Sequence, residues 1–135
     1  MPDDSPRSAH DAFDAAFAAG DAEALAGRFA ADARLLLLHS DVIDGRDAIR
    51  AHWTLLFAAW DTSAWRTELM ALDVHGDRAY AVSTYTETLV ARDPSSGQRR
   101  LVRGRLVRFL RREGDGRWRV TLALNSHSRP IELLD

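Results

Sequence analysis

The chain has 135 residues, 46% of them hydrophobic, enough for one domain that buries roughly two-thirds of its unfolded surface. A net charge of −2 and a pI near 6.2 supply no global basic field, which argues against nucleic acid and anionic membranes as partners. With no cysteine, disulfides, thiolate nucleophiles and thiolate metal sites are excluded together.

The opening MPDDSPRSAH is acidic and polar, without the apolar centre of a signal peptide, and no apolar run approaches the roughly 20 residues of a membrane span. The expected location is the cytoplasm. All eighteen basic residues are arginine. GC-rich coding bias explains that choice, given the matching excess of Ala, Asp and Leu.

Residues 1–7 read as a flexible arm, residues 8–130 as a single domain and residues 131–135 as a short tail. Ser8 can cap a helix running to about Ala19, with Asp11 in the first turn, where the helix dipole favours an anion. Phe13 and Phe17, four apart, form an apolar stripe, with His10 one turn earlier on the same face. For His10 the spacing favours exposure in a first turn over catalysis. Gly20 ends this helix and Asp21 caps a second, whose buried side is Ala24, Leu25, Phe29 and Ala30.

Asp32 closes that helix and a strand follows over Ala33 to Leu38. Its four consecutive leucines do not alternate, so both faces are expected to be covered. HSDVIDG reads as a turn with Val42 and Ile43 as its return. A third helix follows, about Arg46 to Trp60, whose stripe of Ile49, Trp53, Leu56, Phe57 and Trp60 is strongly amphipathic. Four strands complete the chain: Trp65 to His75, Arg78 to Ala91, Arg99 to Arg112 and Arg117 to His127. They are punctuated by Gly76-Asp77, DPSSG and EGDG.

Helices first and strands after predict an α+β domain, three helices packed on one face of a curved antiparallel meander. In the last strand Trp118, Val120, Leu122 and Leu124 are expected to face the helices. Arg119, Thr121, Ala123 and Asn125 then form a mild outer face, suited to a homodimer through the convex side of the sheet.

The candidate chemistry lies on the strands. Tyr85 and Glu87 share a face with Ala81, Ser83 and Leu89, apolar enough to raise a carboxyl pKa and create an acid or base beside a polarising phenol. The competing registry points Tyr80, Val82, Thr84 and Thr86 inward instead. His39, where the first strand leaves the core, is a reserve general base or a solvated turn residue. Arg103 and Arg105 share a face: either Arg105 binds a carboxylate or enolate of a ligand, or the pair is a solvated basic strand. Asn125 and His127 end the last strand, at a pocket rim or as strand-end polarity. His52 and His75 take no role. The five histidines lack HxH, HxxxH or HExxH spacing and no glycine-rich phosphate loop occurs, so no metal and no cofactor is expected.

AFAAGDAEALAGRFAADARLL, GRDAIRAHW, GDGRWRV and a closing NS occur in that order, and over roughly residues 9–128 the chain resembles the NTF2-like superfamily. The nearest flavour is the small bacterial SnoaL-like or DUF4440-type (SgcJ/EcaC-like) domain. That resemblance implies a conical α+β barrel, cystatin-like in outline, with a pocket between helices and sheet, and usually a homodimer. Its members include ketosteroid isomerases, dehydratases, epoxide hydrolases, polyketide cyclases and non-catalytic association domains. The expectation is a small-molecule pocket lined by Phe13, Phe17, Trp53, Phe57, Trp60, Tyr85, Leu122 and Leu124, with Arg105, Asn125 and His127 as further ligand contacts. Cofactor-free isomerisation, cyclisation or hydration of an apolar metabolite would then fall to Glu87 with Tyr85. The alternative is a non-catalytic dimeric association or ligand-sensing module.

Overall fold

In a computed structural model that describes residues 4–38 and 40–134, the helices close one side of a sheet formed by the rest of the chain. Helix α1 (Pro6–Ala19) begins earlier than Ser8. Ser5 is its N-cap, and Ser5 and Ser8 exchange backbone-to-side-chain bonds of 2.8 and 3.1 Å in a capping box. Asp4 is held as well: its carboxylate accepts the Trp118 backbone N–H and pairs with Arg28 at 3.4 Å. Residues 4–7 are therefore part of the domain.

Helix α2 is a single turn and a half, Ala22–Ala26, capped by Asp21. The expected extension through Phe29 and Ala30 does not form, because strand β1 (Phe29–Leu36) already begins there. Phe29 pairs in parallel with Val120, and tertiary pairing overrides the local helical pattern. A two-residue strand β2 (Ile43–Asp44) returns antiparallel to Leu35 and Arg34. Helix α3 (Arg46–Ala59) follows, burying Ile49, Trp53 and Phe57. Trp60 is not its last turn but the start of strand β3 (Trp60–Asp61), which pairs with Ala91 and Val90. There Trp60 meets Arg100, whose guanidinium lies 4.7 Å from its ring centre.

The long strands β4 (Arg66–His75), β5 (Arg78–Ala91), β6 (Arg99–Arg112) and β7 (Trp118–His127) form the antiparallel meander at nearly the expected boundaries. A short β8 (Glu132–Leu134) pairs with the start of β6, so the expected tail joins the sheet. The sheet order is β2-β1-β7-β6-β5-β3, with β4 also on β5. Because β1 runs parallel to β7, the sheet is mixed rather than wholly antiparallel.

The registry of β5 resolves inward for Ala81, Ser83, Tyr85 and Glu87, all buried, leaving Thr84 and Thr86 exposed. In β7 one extra residue changes the expected face. Val120 pairs with Leu110 and Leu122 with Phe109, so Thr121 is a bulge and the side-chain alternation reverses beyond it. Trp118 and Val120 face the helices as expected. Leu122 and Leu124 turn to the convex side, and Ala123 and Asn125 turn inward. Gly104 lies where β6 meets the Tyr85 ring, and a Cβ there would collide with that ring and the Ser126 carbonyl. That close approach lets Tyr85 lie flat against the sheet.

Candidate functional site

A cavity of about 230 Å³ opens between α3, the inward face of β5 and β6, and the end of β7. Trp53, Trp65, Phe17, Leu56, Leu89 and Val102 form its apolar wall, while Glu87, Tyr85, Asn125, His52 and His127 bring polar groups to it. Leu38 and Ile131, each 43% exposed, belong to the rim. An inner recess of about 20 Å³, lined by Phe13, Leu35, Leu106, Arg108 and Ala123, shares Phe17, Trp53, Trp65 and Asn125 with the cavity. A cavity of 150 Å³ suffices for benzene, so this space suits a molecule of one or two rings.

Glu87 is 7% exposed, and its Oε2 is buried without a hydrogen-bond partner. Burial pushes its carboxyl from 4.5 up to about 7. Two residues earlier on the same face, Tyr85 is raised to about 12, by burial and then by the Glu87 charge, against a hydrogen bond from Asn125. Its ring stacks on Trp65 at 5.0 Å between centres. His52, edge-on to Trp53 at 4.8 Å, is held below its ordinary pKa by burial. Helix α3 turns it to the cavity.

Beneath the recess lies a charged network. Arg108, 1% exposed, donates to His10 Nδ1 at 2.9 Å and to Asp14 Oδ1 at 2.8 Å, and its guanidinium sits 3.6 Å from the Phe13 ring centre. Asp14 also accepts from Trp65 Nε1 at 3.1 Å and from the Thr67 hydroxyl. Burial alone would raise the Asp14 carboxyl, but Arg108, Thr67 and Trp65 hold it below its usual value. His10, expected to be exposed, is 2% exposed, and burial with the Arg108 charge lowers its pKa. With Nδ1 accepting from Arg108, the neutral ring carries its proton on Nε2, 3.5 Å from Asp14 Oδ2.

Among the expected site residues, Phe13, Phe17, Trp53, Tyr85, Glu87, Asn125 and His127 come together around the two spaces. Phe57 packs behind the wall, against Phe17 at 5.4 Å. Leu122 and Leu124 face outward beyond the bulge, and Trp60 sits on β3 under Arg100. Arg105 is exposed on the outer face beside Thr84 and Ser126, so it cannot bind a ligand in the cavity. Arg103 pairs with Glu132 at 3.3 Å. His39 lies outside the described residues.

The family model for the SnoaL-like domain matches residues 10–121. The chain belongs to the SnoaL-like family. Its architecture is the NTF2-like cone shared by solved structures. A ketosteroid isomerase-like protein of Erwinia carotovora atroseptica superposes with a TM-score of 0.83 at 18% identity, over 92% of this chain and 94% of the other. An NTF2-like superfamily protein of Salmonella enterica serovar Typhimurium gives 0.75 at 17% identity, over 91% and 88%. A cystatin-like domain of Nostoc punctiforme gives 0.70 at 17%, over 92% and 75%. At such identities the likeness is one of fold. No curated protein matches the chain by sequence.

In this SnoaL-like chain the buried network was the principal omission of the sequence reading. Its signals were present: Arg108 alternates in phase with Leu106 and Leu110, and Asp14 follows His10 by one helical turn.

The Glu87 environment sets a pH dependence of stability. The folded carboxyl keeps its proton to higher pH than the unfolded one, so its contribution is complete below pH 4.5 and is lost as pH rises through about 7. The shift from 4.5 to about 7 corresponds to about 3 kcal/mol. Denaturant unfolding at intervals from pH 4.5 to 8 should show Glu87→Gln gaining about that much relative to the wild type. Parallel stability curves would mean an ordinary, hydrated carboxyl.

Proposed function

We propose that this SnoaL-like domain binds a small, mainly apolar molecule in the cavity and moves a proton on it without a cofactor, as an isomerase, cyclase or hydratase does. The observation that carries the reading is the buried Glu87 carboxyl on the cavity wall, with Oε2 unpartnered and its pKa raised to about 7. A carboxyl poised there gives up and takes back a proton at physiological pH. Tyr85, raised to about 12, stays a neutral phenol, and an amide donated to its oxygen by Asn125 leaves the O–H free for a ligand oxygen.

With a β,γ-unsaturated ketone the steps balance as follows. The Glu87 carboxylate takes a proton from the carbon between carbonyl and alkene, and the C–H electron pair moves into the dienolate. Tyr85 hydrogen-bonds the oxygen on which charge grows. The Glu87 acid then returns the proton to the γ carbon and regenerates the carboxylate. The fold shared with a ketosteroid isomerase-like protein agrees with this chemistry. The titratable wall of Glu87, Tyr85, His52 and His127 favours it over a purely associating or sensing module, whose cavity needs only aromatic closure. Conversion of 3-cyclohexenone to its conjugated isomer, followed by ultraviolet absorbance, should rise with pH through about 7 and fall at least a hundredfold in Glu87→Gln. Turnover unchanged in that variant would remove Glu87 from the mechanism.

The same reading places a second copy of the chain on the convex face. Tyr80, Phe109 and Leu122 are cross-strand neighbours there, and Val82, Val107 and Leu124 form the next row. Phe109 and Leu124 remain 43% and 42% exposed. An apolar patch across three central strands suits an isologous interface. Sedimentation should give a dimer for the wild type and a monomer for Phe109→Glu; a monomeric wild type would exclude this partner. No helix among the described residues is long and apolar enough to cross a membrane.

A further inference from the structure

Four aromatic rings on the cavity wall form a continuous arc. Trp53 meets Phe17 edge-on at 5.3 Å, Phe17 meets Trp65 at 4.4 Å, and Trp65 stacks on Tyr85 at 5.0 Å. Glu87 follows Tyr85 by two residues on the same strand face and ends the arc with a carboxyl. Among the described residues no arginine lines the cavity, and Arg108, in the adjoining recess, is neutralised by Asp14. Burial is the cause of the Glu87 shift, and the Glu87 charge acts in turn on the Tyr85 phenol. The faces of aromatic rings are electron-rich, so arc and carboxylate both favour a positive guest. A hydrocarbon leaves that potential unused, and an anion is repelled by it.

We propose that the cavity takes a small organic cation as a second class of ligand, its charge beside the Glu87 carboxylate and its body against the aromatic arc. The chemistry selects a quaternary ammonium over a primary amine. A primary ammonium brings three N–H donors, most of which the apolar wall would leave unpaired. A quaternary ammonium has none and spreads its charge over its methyl groups, the form that aromatic cages recognise. The inference goes beyond the proton-transfer reading while using the same cavity, since a bound cation holds Glu87 as the carboxylate and needs no turnover. Proton and cation compete for one group, which links binding to pH. The other titratable groups on the wall are His52 on α3, His127 on β7 and the Tyr85 phenol. Burial favours the neutral form of His52, and Tyr85, raised to about 12, stays neutral.

The test is calorimetry on the intact protein with phenyltrimethylammonium, and with tert-butylbenzene as its uncharged isostere. Affinity for the cation should rise about tenfold from pH 6 to pH 8 as Glu87 ionises, and level off above. At pH 7, titrations in buffers of unlike ionisation enthalpy should show about half a proton released per cation bound. Glu87→Gln should bind the cation roughly tenfold more weakly at pH 8 and lose the pH dependence. The isostere, studied to its solubility, should show no rise with pH. Unaltered affinity for the cation in Glu87→Gln would overturn the inference. So would a rise with pH that persists in that variant, which would belong to His52 or His127, and so would failure of the cation to bind at millimolar concentration. The proton-transfer reading is judged separately, by the effect of Glu87→Gln on cyclohexenone turnover.

Discussion

Arg108 carries its charge into the interior of a small domain, and an ion removed from water costs several kcal/mol unless it is paired and hydrogen-bonded. Asp14 and His10 supply that pairing from α1, while Thr67 and Trp65 complete the carboxylate from β4 and the loop before it. The requirement is geometric. Helix α1 must lie so that His10, Phe13 and Asp14 all point at the middle of β6, and Trp65 must present its indole N–H to the same carboxylate. Removing one partner leaves the other charge buried and alone, so the network ties helix α1 to the sheet at Arg108.

The cavity inherits that placement. Once Trp65 is tied to Asp14, its ring is fixed between Phe17, at 4.4 Å, and Tyr85, at 5.0 Å. Tyr85 in turn lies flat because Gly104 leaves room beneath it. The polar groups along β5, β6 and β7 then sit in a graded sequence, from the charged floor at Arg108, through Asn125 and Tyr85, to Glu87. The floor is electrically closed, with acid and base matched. Glu87 is not matched, and burial without a partner is what raises its pKa. The same burial that raises the Glu87 carboxyl costs stability as the pH rises through neutrality.

Much of this was legible in the residues. The long strands and their turns follow from glycine- and proline-marked punctuation, and the apolar stripe of α3 from its three- and four-residue spacing. Tyr85 and Glu87 stood out because an otherwise small and apolar strand face held them, although periodicity alone left the registry of that strand open. What was not legible depended on partners distant in sequence. Phe29 reads as helical until Val120 is known to lie beside it. The bulge at Thr121 leaves no mark in the alternation of WRVTLALN, yet it sends Leu124 outward and brings Asn125 to the cavity. His10 on an apolar stripe looks like a first-turn residue, since its burial depends on a guanidinium 98 positions away.

The central claim is that the fold holds the Glu87 carboxyl half-protonated near neutrality on the wall of an apolar cavity. Side-chain carboxyl 13C chemical shifts, titrated from pH 3 to 9 in protein labelled at glutamate and assigned with Glu87→Gln, read that property directly. The account predicts one carboxyl with a midpoint near 7, absent from the variant. A Glu87 signal that titrates near 4.5 would contradict it.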